Sequence, residues 1–340
     1  MSPPSLVTID ASQPLDKINE IIARDGGVIV SNFLPRDVLD KAMQDGESLP
    51  LPPIHVSLDR QQKLLTSKLA TVEQQFASRK RFQMNATTKV EMGANFFPEG
   101  TQRVYGLLGK MPDLIVQTMR QEVWQGIMDR FLSDEYFSYT GDTLVPQKSG
   151  YMLATTAALR LAPGAQPQLL HRDHIKFQAR PDPGNPLFTP MLGCLIAGSR
   201  CTYKNGAIIP GSHLWAPDRI PKKEECTYAE MEPGSALFTL GSTYHAAGEN
   251  KCEQTDPEAI RTMFAVFGQR DYFRADQDEV LSTPIEVARK LPDDILRLAG
   301  YYKSVGGCGY VGDHQHPVEF MANDNIGTGK MAPSIPEAAI

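Results

Sequence analysis

The feature that most constrains the fold of this chain is the pattern of its second half, from about residue 143 onward. There, short apolar segments alternate with turns rich in Pro, Gly, Asp and Asn. The apolar segments span residues 150–162, 190–198, 206–209, 235–240 and 262–268. This spacing favours an antiparallel sandwich or jelly roll over an array of βαβ units.

The first half of the chain is predicted to contain helices. Apolar residues at helical spacing predict a helix over residues 14–25, which a Gly-Gly pair ends. A short strand is predicted at 28–30, and Pro35 opens a second helix. The apolar positions of residues 111–132 predict one long amphipathic helix.

These patterns together predict a single domain over residues 1–320. Its helical N-terminal part, at about 14–132, packs on the β core at about 143–320, and no linker separates independent domains. The polar tail at 321–340 contains Gly and Pro and is expected to be loose. The predicted fold class is therefore mainly β with flanking helices.

The composition argues against several classes of partner and location. The net charge is −6 and no basic stripe is visible, so we expect no nucleic-acid binding. The five cysteines form no CxxC pair, which favours a reducing compartment. The N-terminus does not resemble a secretory signal, and no apolar run approaches the roughly 20 residues that span a bilayer. We expect a cytoplasmic protein that does not bind membranes.

The placement of the histidines suggests a metal site. His171 and Asp173 are two residues apart, and on an extended strand such residues point to the same face, where both can bind one ion. A third ligand has to come from a distant segment. His213 follows a Pro-Gly-Ser turn, whereas His245 follows a short apolar strand, and this strand context favours His245.

Two imidazoles and one carboxylate suit iron in particular. They leave three positions open on an octahedral metal, which Fe(II) oxygenases use to bind a co-substrate and O₂. Zinc favours a closed four-coordinate shell or a His₂Glu hydrolytic site, and the sequence contains no HExxH. A His-x-Asp pair also occurs by chance, so a protein that binds metal without catalysis is an alternative.

Arg261 is the candidate ligand of a dicarboxylate co-substrate. A 2-oxo acid that chelates iron leaves its far carboxylate buried, and the planar fork of an arginine binds such a group with two hydrogen bonds. Arg261 follows His245 by sixteen residues, at the start of an apolar segment. If the intervening residues form a hairpin connection, Arg261 returns on the strand adjacent to His245, beside the metal.

Several motifs give the chain a specific resemblance. They are DGGVIVSNFL at 25–34, TQR at 101–103, QLLHRD at 168–173, NGAIIPGSHLW at 205–215 and EPGSALFTLGSTYHAAGEN at 232–250. With these motifs the chain resembles the phytanoyl-CoA dioxygenase family, in particular its fungal branch of meroterpenoid and alkaloid oxygenases. The resemblance implies a double-stranded β-helix (jelly-roll, cupin-like) core. It also implies iron at His171, Asp173 and His245, with His213 outside the ligand set.

The resemblance further implies Fe(II), 2-oxoglutarate and O₂ as cofactors. Arg261 and Gln168 then bind 2-oxoglutarate, and Arg103 contacts the co-substrate or the substrate. Many fungal members have a threonine that contacts the co-substrate where this chain has Ile208, and Thr243 is the candidate replacement.

The expected reaction is oxidation of a C–H bond by hydroxylation, desaturation or rearrangement. The expected substrate is a small apolar molecule, a polycyclic natural product such as a meroterpenoid or alkaloid, and an acyl-CoA of the phytanoyl type is the alternative. Tyr151, Phe177 and Trp215 are candidates for an apolar pocket, although each could equally pack in the core. Relatives often dimerise, and a homodimer is expected.

Overall fold

The computed structural model describes residues 5–45, 101–174, 184–202, 205–256 and 258–321. The predicted tail at 321–340 lies outside these ranges except for Met321, and the predicted pocket residue Phe177 lies outside them as well. The described helices are α1 (Leu15–Asp25), α2 (Arg36–Asp45), α3 (Leu107–Lys110), α4 (Pro112–Met119), α5 (Glu122–Leu132), α6 (Glu279–Ser282), α7 (Ile285–Ala288), α8 (Asp293–Leu298) and α9 (Pro317–Met321).

The strands reproduce the apolar segments of the sequence closely. They are β1 (Thr8–Asp10), β2 (Gly27–Ser31), β3 (Thr101–Tyr105), β4 (Glu135–Thr140), β5 (Thr143–Lys148), β6 (Tyr151–Leu161), β7 (Met191–Ala197), β8 (Ala207–Ile208), β9 (Thr227–Tyr228), β10 (Ala236–Leu240), β11 (His245–Ala246) and β12 (Arg261–Arg270). The predicted segments 150–162, 190–198, 206–209, 235–240 and 262–268 correspond to β6, β7, β8, β10 and β12.

Seven of these strands form the major sheet, in the order β1-β2-β10-β7-β12-β6-β3. All neighbouring pairs are antiparallel except β1 and β2. The minor sheet has the order β11-β8-β9, and an isolated bridge from His171 to His245 adds the segment that follows β6.

The chain passes back and forth between the two sheets. It runs from β6 in the major sheet to His171 at the minor sheet, returns to β7, forms β8 and β9, returns to β10, forms β11 and ends in β12. This alternation is the topology of a double-stranded β-helix, or jelly roll. The predicted fold class, mainly β with flanking helices around such a core, is confirmed.

The two faces of the major sheet have different environments. The outer face contributes Phe238, Ile196 and Phe264 to a large apolar cluster with helices such as α1 and α5. Trp124 of α5 is fully buried there and donates an indole hydrogen bond to the carbonyl of Val266. The inner face forms a smaller cluster with residues near the minor sheet, including Leu237, Met263 and Met231.

The expectation of one helix over residues 111–132 is wrong. Gln121, with φ −64° and ψ 127°, is extended and separates α4 from α5. The break lets each helix turn its own apolar side, Ile115 and Met119 in α4 and Ile127 in α5, into the core. The side chain of Gln125 donates a 3.0 Å hydrogen bond to the carbonyl of Met119, which the break leaves without its helical partner.

The end of α1 packs against segments of the functional site. Gly26 follows the helix in the left-handed conformation (φ 78°), and its N–H binds the carbonyl of Ile22 at 2.7 Å. A side chain at this position would collide with Thr243 and His213, since both side chains pack against the glycine. The α1–β2 turn therefore lies directly against the segment that precedes His245.

The hairpin of β4 and β5 makes a two-stranded sheet of its own and extends into solvent. The face formed by Phe137, Tyr139, Leu144 and Pro146 is exposed, with Phe137 and Tyr139 about 70% and 69% accessible. Among the described helices, none combines the length and apolar character that crossing a membrane requires.

Candidate metal and co-substrate site

Three side chains converge between the two sheets. Nε2 of His171 lies 3.5 Å from one carboxylate oxygen of Asp173, and Nε2 of His245 lies 3.3 Å from the other. One ligand atom from each residue lies within 4.8 Å of the other two. The structure thus brings His171, Asp173 and His245 together as the sequence spacing predicts.

Backbone pairing holds the two histidines in register. The N–H of His171 donates to the carbonyl of His245 and the N–H of His245 donates to the carbonyl of His171, both at 2.9 Å. In each ring, Nδ1 faces the carbonyl two residues earlier, that of Leu169 at 2.8 Å and that of Thr243 at 3.0 Å. A carbonyl can only accept, so Nδ1 carries a proton in each ring, and Nε2 is the atom left to bind either a proton or a metal next to Asp173.

The electrostatics of the cluster favour an ionised carboxylate. Burial alone would raise the pKa of Asp173, but the attraction of the His245 and His171 imidazoles holds this pKa well below its ordinary value. Burial would lower the pKa of His245, and the attraction of Asp173 reverses that effect and raises it. A metal cation would take the place of the proton that this imidazole binds.

The donor set fits a divalent metal. Bonds of roughly 2.1 Å to nitrogen and oxygen place neighbouring ligand atoms of an octahedral ion about 3 Å apart. The separations of 3.5 and 3.3 Å between the imidazole nitrogens and the carboxylate oxygens of Asp173 are close to this value. Two imidazoles and one carboxylate on one side of an ion form the facial arrangement of non-haem iron sites.

Among the described residues, His213 is not part of this cluster. It is buried in a short 3₁₀ turn, and its Nε2–H donates to the carbonyl of Ala23 at 3.0 Å. Burial lowers its pKa, so the ring is neutral. The histidine of the PGSH motif therefore attaches the turn to the end of α1.

Arg261 occupies a different place from the one that its spacing predicts. It begins β12, which pairs with β6 and β7 in the major sheet, whereas His245 belongs to the minor sheet. The expectation that Arg261 lies on the strand adjacent to His245 is therefore wrong. The connection crosses between the sheets, and Arg261 shares the inner face of the major sheet with Met263, two residues further along β12.

Asn250 fixes the position of this connection, and its role was not predicted from the sequence. Its buried side-chain amide donates to the carbonyls of Leu161 at 2.9 Å and Ala259 at 2.7 Å. These bonds return the chain to the end of β6, where Arg261 pairs with Leu161. The final asparagine of the GEN sequence, which follows His245 by five residues, was the available signal.

Gln168 and Arg261 hold the segment that leaves His245. The side-chain oxygen of Gln168 accepts the N–H of Ala247 at 2.9 Å, and Nη1 of Arg261 donates to the carbonyl of Glu249 at 2.9 Å. Arg261 is fully buried and Gln168 is half-buried. Both residues therefore lie along one path that begins at the metal ligand.

Arg103 lies on the same face of the major sheet as Arg261. It pairs with Leu159 of β6, which pairs in turn with Met263 of β12, two residues beyond Arg261. Since residues two apart on a strand share a face, both guanidinium groups lie on the inner face. Arg103 is buried, and burial lowers its pKa to about 10.

Thr243 has a hydroxyl that is already engaged with the backbone. The hydroxyl is fully buried and donates to the carbonyl of Gly26 at 2.8 Å, on the side of the α1–β2 turn. Its own carbonyl accepts the ring N–H of His245. Ile208 is buried in the minor sheet opposite His245. Thr243 therefore binds the α1–β2 turn with its hydroxyl and the His245 ring with its carbonyl.

The candidate pocket aromatics Tyr151 and Trp215 each pack against other side chains. The ring of Tyr151 packs edge-on against Trp124, on the helix-covered side of the major sheet. Trp215 packs under the guanidinium of Arg219, 3.4 Å from the ring centre. Tyr151 therefore packs on the helix-covered side, whereas the Trp215 ring also lies 6.1 Å from the ring of Tyr244, the residue before His245.

Comparison with known proteins identifies the family. The family model described as phytanoyl-CoA dioxygenase (PhyH) matches residues 22–256, which is more than half of the chain. The dioxygenase swnH1 of Metarhizium robertsii is 31% identical over 239 residues, which cover 67% of this chain and 74% of the relative. The dioxygenase swnH1 of Arthroderma benhamiae is 27% identical over 303 residues, covering 88% and 86%.

Among solved structures, the non-haem alpha-ketoglutarate-dependent carbocyclase SnoK from nogalamycin biosynthesis superposes with a TM-score of 0.45 at 17% identity, covering 83% of this chain and 93% of that one. The family match and the relative at 31% identity agree with the motifs and with the His-Asp-His cluster. The chain belongs to the phytanoyl-CoA dioxygenase family, and it is a dioxygenase that uses iron, 2-oxoglutarate and O₂.

Proposed function

We propose that the chain oxidises a C–H bond of a polycyclic natural product, such as a meroterpenoid or an alkaloid, with His171, Asp173 and His245 as the iron ligands. One observation supports the proposal above all others. The His-Asp-His cluster lies at the minor sheet, while buried arginines lie on the facing surface of the major sheet. This arrangement suits a co-substrate that binds a metal at one end and a cation at the other.

The side chains have separate roles in this proposal. Nε2 of both histidines and the carboxylate of Asp173 hold the metal, and the guanidinium of Arg261 binds the far carboxylate of 2-oxoglutarate. Gln168 fixes the segment between them, and Arg103 adds positive charge on the same inner face. Bound iron supplies the oxidising chemistry, in which O₂ and 2-oxoglutarate give succinate, CO₂ and an oxidised substrate.

The inner face of the major sheet provides a wall for an apolar substrate. Leu159, Leu195 and Phe267 point inward by their strand register and keep partial exposure, although their neighbours on the outer face are buried. A Cβ on Gly193 would lie only 3.2 Å from the ring of Phe267, so this glycine lets the ring lie against β7. The β-bulge between Phe267 and Gly268 adjusts the direction of that ring.

An anaerobic titration tests the iron site. Fe(II) added to the apoprotein with 2-oxoglutarate gives a charge-transfer absorption band when both bind at one centre. We expect the band and succinate release in the wild type and in Asp218→Ala, which removes an exposed aspartate. Asp173→Ala loses both signals. A band of full intensity in Asp173→Ala would contradict the assignment of the ligands.

The substrate class is tested by coupled succinate production. Fungal terpenoids and alkaloids are compared with phytanoyl-CoA in the presence of Fe(II), 2-oxoglutarate and O₂. Faster succinate release with a polycyclic compound, together with an oxidised product, supports the proposal. Stimulation by phytanoyl-CoA alone would identify an acyl-CoA hydroxylase, and metal binding without turnover on any compound would identify a binding protein.

The partner in this proposal is a second copy of the chain. The exposed apolar face of the β4–β5 hairpin supports a homodimer, because a two-stranded hairpin is marginally stable alone and such patches mark interaction sites. The double variant Phe137→Ser, Tyr139→Ser is expected to run as a monomer in light scattering, whereas Tyr310→Ser, at an exposed tyrosine elsewhere, stays dimeric. A monomeric wild type would contradict this.

A further inference from the structure

Arg172 and Tyr244 join the two segments that contain the candidate metal ligands. Arg172 lies between His171 and Asp173, and Tyr244 directly precedes His245. The guanidinium carbon of Arg172 lies 4.3 Å from the centre of the Tyr244 ring. A cation–π contact at this distance, with partial burial, attracts the two segments to each other.

The turn of the PGSHLW motif binds both of these residues. Nη2 of Arg172 donates to the carbonyl of Ser212 at 2.9 Å and approaches that of Trp215 at 3.4 Å. The hydroxyl of Ser212 accepts the N–H of Tyr244 at 2.8 Å, and the N–H of Ile209 donates to the carbonyl of Tyr244 at 2.9 Å. One turn therefore contacts both ligand segments.

The same turn is fixed to the helical part of the protein. The N–H of Gly211 donates to the carbonyl of Asp25 at 2.7 Å, and His213 donates to that of Ala23. Both acceptors lie at the C-terminal end of α1, whose apolar face is buried in the large core. The turn thus connects the ligand segments to a rigid helix.

The minor sheet needs such a connection because its strands are short. β8 and β11 have two residues each, so the backbone ladder near His245 consists of few hydrogen bonds. A metal site needs its ligands held to within about 0.5 Å of the productive geometry. Side-chain contacts next to the ligands can add the rigidity that the short ladder lacks.

We propose that Arg172, Ser212 and Tyr244 form a brace that fixes the His171–Asp173 pair relative to His245 and so sets the affinity and geometry of the metal site. The inference rests on the proposed metal ligands. The three residues act through their neighbours, and they are positioning residues. Arginine suits this place because its planar group can stack on a ring while its edge donates to carbonyls, which a lysine ammonium cannot do.

A matched pair of variants tests the brace. Arg172→Leu removes the guanidinium that joins the ligand segments. Arg219→Leu removes a second guanidinium that stacks on an aromatic ring of the same turn, on Trp215, and pairs with Glu225. The side chain of Arg219 contacts Trp215 and Glu225, which both lie outside the ligand segments, so it controls for damage to the turn itself. Arg172→Lys tests whether charge alone is sufficient.

The readouts are the dissociation constant of Co(II) from the apoprotein, measured by calorimetry, and the visible spectrum of the bound Co(II), which reports ligand geometry. We expect Arg172→Leu to weaken binding by roughly 10- to 100-fold and to change the spectrum, as losses behind metal ligands do. We expect the Co(II) affinity of Arg172→Lys to lie between that of Arg172→Leu and that of the wild type. Arg219→Leu stays within about twofold of the wild type, with an unchanged spectrum.

An unchanged affinity and spectrum in folded Arg172→Leu would overturn the brace, and so would an equal loss in Arg219→Leu. If Arg172→Leu loses its native circular dichroism, Tyr244→Leu decides in its place, since it removes the ring and leaves the backbone hydrogen bonds of Tyr244 intact. A wild type that binds no Co(II), or Asp173→Ala that binds it normally, would instead refute the ligand assignment, which separates the two failures.

Discussion

The major and minor sheets of the core are stabilised by different interactions. In the major sheet, β6 has eleven residues and β12 has ten, and the outer face packs against helices in one large apolar cluster. In the minor sheet, β8, β9 and β11 have two residues each, and turns and side chains complete the contacts. Folding stability is therefore expected to depend mainly on the first sheet and metal geometry on the second.

The largest expected effect is a loss of stability from the major sheet. Phe238 of β10 is fully buried and packs edge-on against Phe33. Phe238→Ala leaves a cavity and should lower the free energy of unfolding by about 3–5 kcal/mol in urea titrations. Ile220→Ala, at an exposed side chain, should change it by less than about 0.5 kcal/mol. Similar losses in the two variants would contradict the account of the core.

A second prediction concerns the inner face, where the two sheets meet. Arg261→Met removes a buried cation and should weaken 2-oxoglutarate binding by about 2 kcal/mol or more, about 30-fold, while Co(II) affinity stays within about twofold. Arg200→Met removes an exposed arginine paired with Glu232 and serves as the control. Calorimetry with each ligand measures the difference. Equal loss of metal and co-substrate binding in Arg261→Met would place Arg261 in the metal site instead.

A third prediction uses a buried carboxyl group on the outer side of the major sheet. Glu279 accepts a 2.6 Å hydrogen bond from Thr156 of β6, and burial raises the pKa of Glu279 from 4.5 to about 6. Because the folded state holds the proton more tightly, the resulting stability is present below about pH 4.5 and is lost as the pH rises through about 6.

The expected loss is about 2 kcal/mol between pH 4.5 and 7.5, an order-of-magnitude value from the difference in pKa. Urea unfolding at both pH values measures it. Glu279→Gln should remove this part of the pH dependence, and Glu286→Gln, at an exposed glutamate of α7, should leave it in place. The same pH dependence in Glu279→Gln and the wild type would show that Glu279 does not cause it.

The sequence predicted the major sheet better than the minor one, for a physical reason. Long strands have enough apolar residues to produce a visible pattern, and β6 and β12 lie within two residues of their predicted bounds. Two-residue strands such as β11 have no such pattern. The break at Gln121 was also invisible, since the apolar spacing continues through α4 and α5 and only the packing against the core requires a turn.

In the candidate site as well, local features could be predicted from the sequence and tertiary features could not. The approach of His171 to Asp173 is local, since the residues are two apart, although only His171 forms a β-bridge and Asp173 lies in a bend. The position of Arg261 depends on which sheet receives the strand after His245, a tertiary property that spacing does not contain. Arg172 and Tyr244 adjoin ligands in the sequence, but their contact joins two distant segments and is therefore also a tertiary property.

The most direct test of the central claim is an anaerobic crystal structure of the protein with Mn(II) and 2-oxoglutarate. We predict an anomalous scattering peak bounded by Nε2 of His171, Nε2 of His245 and the carboxylate of Asp173, with the far carboxylate of 2-oxoglutarate at the guanidinium of Arg261. A peak at another group of side chains, or a co-substrate carboxylate directed away from Arg261, would contradict the account.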